Sequence, residues 1–280
     1  MSLTFGAATS DRVVIAPATS INNLAAFTYL LWVFPTTLTN LRMFISKDDG
    51  AAANIYFGLS GTGGNIEFQV DWSTSAGFVR SSSTPLATTS KWYCVVATYD
   101  SLAAQQNHMY VGDLVTALSE PTYSNNTNGS GSQSDDSARS LVIGNDGTTL
   151  ALQGRIAFAG VWNRAMSLAE LQSQQFRPRV SSGSLLFTHY GFNGTDTQPD
   201  WSGNGNAGTV TGATVADHVP LSPFFGFDLG YGAFAVAAAS GPPMRNLLGI
   251  GRDFSFPIMG MEWLRHRKNR IRRDQKQRMT

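Results

Sequence analysis

Two carboxylates in one predicted strand are the strongest candidates for acid–base chemistry in this 280-residue chain. Glu67 and Asp71 stand four residues apart in the alternating run IEFQVDW, which places them on one face of a strand. A pair of carboxyl groups hydrolyses a glycosidic bond when the two face each other at about 5–9 Å. Four residues along a strand span about 13 Å. We therefore expect no glycosidase pair here.

Other chemistry-bearing patterns are also missing from the sequence. The four histidines, at positions 108, 189, 218 and 266, show no metal-binding spacing. Neither a nucleophile elbow nor a phosphate-binding loop is present. We predict that the protein is not an enzyme. We also predict that it binds no cofactor.

The composition indicates strands joined by many turns. Charged residues make up only 14% of the chain, aromatic residues 11%, and glycine occurs 28 times. Short β-prone runs are separated by turn clusters such as GTGGN and GNDG, which is typical of a sandwich or barrel. We predict strands at Ser2–Phe5, Arg12–Ala16, Phe27–Phe34, Met43–Lys47, Ile55–Leu59, Asn65–Trp72, Gly77–Ser81, Trp92–Tyr99, His108–Val111, Ser140–Ile143, Arg155–Trp162 and Leu185–Tyr190.

One helix and one long loop interrupt this pattern. Ser167 and Glu170 form a capping-box pattern, so we predict a helix of about two turns that runs to near Gln175. The stretch Ser124–Ser137 is rich in Asn, Ser, Gly and Asp, which predicts a long exposed loop. Cys94 is the only cysteine and lies in an apolar run, so we expect it to be buried.

Targeting and membrane signals are not apparent. The opening MSLTFGAATSDRVVIAP has neither a basic leader nor an apolar segment, so we expect no signal peptide. No uninterrupted apolar stretch reaches about 18 residues, so we expect no membrane span.

Five groups of motifs occur in a fixed order along residues 1–176. They are Leu3-Thr-Phe-Gly with Asp11-Arg-Val-Val-Ile, Phe27-Thr-Tyr-Leu-Leu-Trp-Val-Phe-Pro, Trp92-Tyr-Cys-Val-Val-Ala-Thr-Tyr-Asp, Leu141-Val-Ile-Gly-Asn, and Gly154-Arg-Ile-Ala-Phe-Ala-Gly-Val-Trp-Asn-Arg-Ala-Met-Ser. In this order they resemble the laminin-G-like and pentraxin group, including its virion-associated members. The resemblance implies an all-β, antiparallel β-sandwich of the concanavalin A-like jelly-roll type over residues 1–220.

A sixth motif stands in an unexpected place. Asp200-Trp-Ser-Gly-Asn-Gly-Asn-Ala-Gly-Thr resembles a segment that precedes the opening strand in this family, yet here it follows the last one. The resemblance therefore implies a circularly permuted order, with residues 185–217 as the closing segment. That segment either completes its own sandwich or reaches into a neighbouring copy.

The resemblance also implies calcium, which many relatives bind at one sheet edge. This chain has Ala157 and Ala159 where the family often has Asp. The oxygen ligands that remain as weak calcium candidates are Asp11, Asp48, Asp49, Asn145 and Asp146. The alternative is that these residues belong to turns, in which Asp and Asn bond to their own backbone.

Residues 221–280 differ in character from the rest of the chain. Residues 1–220 carry a net charge of −5, and residues 221–280 carry +6. We predict an extended C-terminal arm, apolar first and then basic, that anchors the protein to neighbouring subunits of a homo-oligomer or to capsid or tail proteins. Its basic end also suits nucleic acid or an acidic surface, or is a solvated tail. The predicted anchoring residues are Phe224, Phe225, Phe227, Tyr231, Phe234, Leu247, Leu248, Phe254, Phe256, Trp263, Arg265, Arg267, Lys268, Arg270, Arg272 and Arg273.

Two functions fit this architecture. The first is a phage-particle decoration or fibre protein, located in the virion, whose head projects outward while the arm anchors it. The alternative is a carbohydrate-binding adhesin of a cell surface, with Trp72, Tyr123 and Trp201 as candidates for stacking on sugar rings.

Overall fold

Two antiparallel sheets form the part of the chain that the structure describes. A computed structural model gives residues 1–6, 10–48, 53–61, 63–146 and 150–221. Its strands are β1 (Ser2–Phe5), β2 (Arg12–Ile15), β3 (Ala26–Pro35), β4 (Asn40–Asp48), β5 (Ala53–Gly61), β6 (Ile66–Val70), β7 (Gly77–Ser81), β8 (Tyr93–Asp100), β9 (Asn107–Asp113), β10 (Tyr123–Thr127), β11 (Leu141–Ile143), β12 (Gly154–Trp162), β13 (Ser184–His189), β14 (Thr209–Thr211) and β15 (Thr214–Ala216). Sheet A has the order β15-β1-β12-β3-β8-β9, with β13 also paired to β12, and sheet B has the order β10-β7-β6-β5-β4-β11-β2-β14. The predicted all-β antiparallel sandwich is confirmed.

The core lies between the two sheets and is rich in aromatic rings. On β3, alternate residues beginning with Phe27 face this core, as period-two alternation requires. The Phe27 ring meets Tyr99 of the same sheet at 5.1 Å between centroids and Phe68 of sheet B at 6.0 Å. Phe68 in turn meets Phe57 at 6.1 Å, so one aromatic chain joins both sheets.

A second apolar layer covers the outer face of sheet A. Trp32 and Cys94 on this face are fully buried, which confirms the expected burial of the thiol and raises its pKa well above the usual value. The helix α1 (Leu168–Phe176) packs here through Leu171. The indole N–H of Trp32 donates to the backbone oxygen of Gln175 at 3.0 Å, which ties the helix to the sheet.

The predicted capping box begins α1. The hydroxyl of Ser167 accepts from the backbone N–H of Glu170, and the Glu170 carboxylate accepts from the backbone N–H of Ser167 at 2.9 Å. The helix starts at Leu168 and ends at Phe176, one residue beyond the expected end.

The prediction of a continuous loop at Ser124–Ser137 is wrong at its start. Residues Tyr123–Thr127 form β10, an edge strand that pairs with β7. The four residues after Tyr123 in this strand are all exposed, so the strand lacks the alternation by which strands are predicted.

The closing segment pairs with strands of its own chain. Residues 184–189 of β13 and residues 2–5 of β1 lie end to end along the same edge of β12. β15 pairs with β1, and the hydroxyl of Ser2 donates to the backbone oxygen of Asp217 at 2.7 Å. β14 pairs with β2 in sheet B. These pairings lie within one chain, and the permuted closing segment at residues 185–217 and the domain boundary at residue 220 both stay predictions.

Candidate functional site

The loop after β13 is organised by Asp200. Its carboxylate accepts the backbone N–H of Phe187 at 3.1 Å, of Ser202 at 2.9 Å and of Asn206 at 3.0 Å. The Ser202 hydroxyl adds a fourth hydrogen bond at 2.8 Å. A carboxylate with this many donors holds its surrounding backbone in one conformation.

The remaining polar residues of the same motif close the free edge of β13. The amide of Asn206 donates to the backbone oxygen of Leu185 at 2.7 Å, and the amide of Asn204 donates to that of Ser184 at 2.8 Å. Gly203 and Gly205 have φ values of 89° and 76°, a left-handed conformation that favours glycine. The motif Asp-Trp-Ser-Gly-Asn-Gly-Asn thus seals a sheet edge, which explains these residues structurally.

Trp201 lies in this motif, and its ring faces outward. Its backbone N–H donates to the oxygen of Phe187 at 2.8 Å, while its side chain is 40% exposed. The ring of Phe192, which is 53% exposed, meets it edge to face, with 5.5 Å between centroids and an interplanar angle of 85°. We call this exposed pair the aromatic corner.

The turn that carries Phe192 is also held by hydrogen bonds. Gln198 is buried, accepts the backbone N–H of Gly191 at 2.9 Å and donates to the oxygen of Asp196 at 2.6 Å. Exposed Asn193 and Asp196 in this turn offer polar groups near one member of the corner. An aromatic ring beside polar side chains suits a flat ligand. Such a ligand has apolar faces and polar groups around its edge.

Sequence reasoning named Trp201 and missed Phe192. Phe192 follows β13 directly and stands between two turn glycines, Gly191 and Gly194, which have φ values of 76° and 66°. A large aromatic residue between two turn glycines has few neighbours to pack against. That pattern could have indicated its exposure.

The other two predicted stacking residues have structural roles. Trp72 is partly buried, packs against the core and lies against the backbone of Gly129. Tyr123 also packs against the core, and its hydroxyl accepts the backbone N–H of Met109 at 2.8 Å and donates to Glu120. Burial, together with the neighbouring Glu120, raises the pKa of Tyr123 well above its ordinary range.

The strand carboxylates are engaged in hydrogen bonds and do not face each other as a catalytic pair. Glu67 on β6 is only 3% exposed, and its carboxylate accepts two hydrogen bonds from the Arg80 guanidinium, at 2.7 and 2.9 Å. Asp71 accepts from the amide of Gln69 at 2.6 Å. Two carboxylates that lie four residues apart on a strand, each held by a hydrogen-bonding partner, do not form the facing pair that glycoside hydrolysis needs.

The predicted calcium ligands do not all lie at the same end of sheet B. Asp11 precedes β2 and Asn145 follows β11, and the Asn145 amide donates to the Asp11 backbone oxygen at 3.3 Å. The backbone of Asp48 lies at the opposite end of these strands, because Lys47 pairs with Leu141 whereas Ile45 pairs with Ile143. Asp49 lies outside the described residues.

The candidates near β2 bond to their own loops. The carboxylate of Asp11 accepts the backbone N–H of Gly6 at 2.6 Å, and that of Asp146 accepts the N–H of Leu150 at 3.0 Å. No group of three or more His, Cys, Asp or Glu side chains arranged to hold a metal occurs within the described ranges. These hydrogen bonds are of the kind that the turn interpretation expects for Asp11 and Asp146, and calcium binding stays a prediction.

The predicted anchoring arm lies outside the described residues, which end at Leu221. Within the described ranges, no helix has the length and apolar character needed to cross a bilayer.

Comparison with known proteins agrees with this architecture. A laminin-G-type family described as the concanavalin A-like lectin/glucanases superfamily matches residues 7–172. A search of curated protein sequences gives no match.

Solved structures share the fold at low identity. A Bacteroides ovatus protein, provisionally described as carbohydrate-binding, is 15% identical with a TM-score of 0.56 over 78% of this chain and 59% of its own. This chain thus spans less than two thirds of that protein. The native heptameric SAP-like pentraxin of Limulus polyphemus is 12% identical, with a TM-score of 0.52 over 79% of this chain and 96% of its own.

A tailspike protein of the Escherichia coli O157:H7 bacteriophage CAB120 is more distant. It is 10% identical, with a TM-score of 0.44 over 67% of this chain and 29% of its own. Since the family match covers more than half of the sequence, the chain belongs to the concanavalin A-like lectin/glucanases superfamily.

Proposed function

We propose that this protein is a non-catalytic carbohydrate-binding protein that stacks a sugar ring against the aromatic corner of Phe192 and Trp201. The observation that carries this proposal is the exposure of two large aromatic rings, set edge to face, on a loop that is otherwise fixed by hydrogen bonds. The C–H groups of a pyranose face are apolar, and an aromatic face attracts their slight positive charge.

The backbone that carries Trp201 is held by hydrogen bonds without any ligand. The backbone of Trp201 is bonded to β13, and its neighbour Asp200 accepts four hydrogen bonds. Ligand binding therefore costs little conformational entropy of this loop. A small entropy cost allows a small contact area to give measurable affinity. The exposed polar side chains of the same turn supply partners for sugar hydroxyls.

The comparisons support this class of function without naming a sugar. The superfamily includes lectins, and the Bacteroides ovatus neighbour is described as carbohydrate-binding. The superfamily also includes glucanases, but the Glu67 carboxylate accepts two hydrogen bonds from Arg80.

A glycan array probed with the full-length chain tests the proposal. We expect binding to a defined set of glycans, and we expect Trp201→Ala and Phe192→Ala each to abolish that signal. Phe176→Ala is the matched control, because Phe176 on α1 is also exposed, at 38%, and lies outside the corner. Silence of the wild-type chain across a broad array would contradict the proposal.

A second candidate function is a structural role in a virus particle or another surface assembly. The sequence of residues 221–280 favours it, because an apolar stretch followed by eight basic residues after Trp263 suits attachment to another chain. In this arrangement the sandwich projects outward and presents the aromatic corner.

Truncation tests the second candidate independently of sugar binding. We expect removal of residues 222–280 to abolish self-association, measured by light scattering, or incorporation into the particle. A truncated chain that still assembles would exclude an anchoring role for the arm, whatever the glycan array shows.

A further inference from the structure

A buried lysine lies at one end of the sandwich. Lys47 stands near the end of β4, and its side chain is 1% exposed. The ammonium donates to three oxygens: the backbone oxygen of Ile21 at 2.8 Å, the amide oxygen of Asn22 at 2.8 Å and a carboxylate oxygen of Asp136 at 2.7 Å. Each of its three N–H groups therefore has an acceptor.

The acceptors belong to two loops that also bond to each other. The Asp136 carboxylate accepts the backbone N–H of Asn23 at 2.8 Å, and the Asn23 side chain accepts the backbone N–H of Asp136 at 2.9 Å. The Asn22 amide donates to the oxygen of Ser137 at 2.9 Å. Lys47 thus lies where β4, the loop at residues 21–23 and the loop at residues 135–137 converge.

This set of oxygens has the chemistry of a cation site. A carboxylate, a side-chain amide oxygen and a backbone carbonyl are the ligands that hard divalent cations take in proteins. Burial lowers the pKa of Lys47, while the hydrogen bond and charge of Asp136 raise it. The Asp136 side chain is 2% exposed, so without a cation its charge would be buried and uncompensated.

We propose that the Lys47 ammonium is a built-in cation that holds these two loops together in place of a divalent metal ion. The cage of Ile21, Asn22 and Asp136 is a latent metal site that the lysine occupies.

The first test compares the full-length wild-type chain in EDTA and in 10 mM calcium chloride by thermal denaturation. We expect the two Tm values to agree. A wild-type Tm that falls in EDTA would overturn the proposal, because the loops would then depend on a metal.

The second test removes the ammonium. Lys47→Ala leaves Asp136 without its partner, so we expect a Tm fall of about 10 °C in EDTA. Because the vacated space is lined by oxygens, calcium at 10 mM should restore about 4 °C if it binds with a millimolar Kd. Magnesium, which demands tighter octahedral geometry, should restore less.

Two matched variants locate the effect. Lys47→Met removes the charge but fills the space, so its Tm should fall without any recovery in calcium. Adding Asp136→Asn to Lys47→Ala should abolish the calcium response. Lack of recovery in Lys47→Ala, including failure to fold with calcium as well as without it, would contradict a latent site.

Discussion

The imidazole rings of His189 and His218 lie 5.9 Å apart, where the end of β13 meets the segment after β15. His189 also contacts the rings of Phe158 and Phe187. Burial, then the neighbouring His218 and the N-terminal amine of Met1, lower the pKa of His189 to about 4. Burial also lowers the pKa of His218. Both rings are therefore neutral in the folded protein at neutral pH.

Stability should fall on mild acidification. Since the unfolded state binds the protons more readily, the stabilisation is complete above about pH 6.5 and is lost as pH falls towards 4. His189 alone should account for roughly 3 kcal/mol of this change. Urea denaturation between pH 4 and 7.5 measures it, and His189→Gln should flatten the profile.

Asp200 should be a strong stabilising residue although it lies in a loop. Asp200→Ala removes a charged acceptor from four donors, which should lower the free energy of unfolding by about 3 kcal/mol. Asp196→Ala, at an exposed position in the same segment, should cost less than about 0.5 kcal/mol. Equal effects of the two substitutions, measured by chemical denaturation, would show that the carboxylate does not organise the loop.

Binding and stability should separate at the aromatic corner. Trp201→Ala should weaken glycan binding at least about 10-fold, as loss of a central aromatic contact does. Because the backbone of Trp201 keeps its bond to β13 in the variant and the residue is 40% exposed, the Tm of Trp201→Ala should stay within about 3 °C of the wild type. Titration calorimetry and thermal denaturation of one preparation check both values. A large loss of Tm with unchanged affinity would assign the ring to packing.

The ion pair of Glu67 and Arg80 should act in stability and not in catalysis. Arg80→Met leaves the carboxylate of Glu67 buried without its cation, so we expect a loss of about 2 kcal/mol. The paired change Arg80→Met with Glu67→Gln should recover part of it. Release of reducing sugar from any bound glycan by the wild-type chain would contradict this assignment.

The sequence predicts the sandwich well because its core strands alternate or are continuously apolar. The run from Phe27 to Phe34 and the helix start at Ser167 are examples in which local chemistry decides local structure. β10 escapes prediction because its exposed asparagines contact no core, so its pairing depends on β7 alone.

The candidate site is less predictable than the fold. Trp72 and Trp201 are equally plausible stacking residues in the sequence, and only tertiary structure places the backbone of Gly129 against one and leaves the other outward. The ion pair of Lys47 with Asp136 joins residues 89 positions apart, so no local sequence pattern predicts it.

The hydrogen bonds that seal the edge of β13 also give this domain a mechanical property. A pull on a ligand stacked on Trp201 passes through the backbone bond to Phe187 and the Asp200 carboxylate into β13, and from there along the ladder with β12. The loop bonds to β13 and the β12–β13 ladder are therefore two successive links between the ring and the sheet. If the proposed stacking on Trp201 holds, a bound ligand is tied to the sheet by backbone hydrogen bonds as well as by the covalent chain.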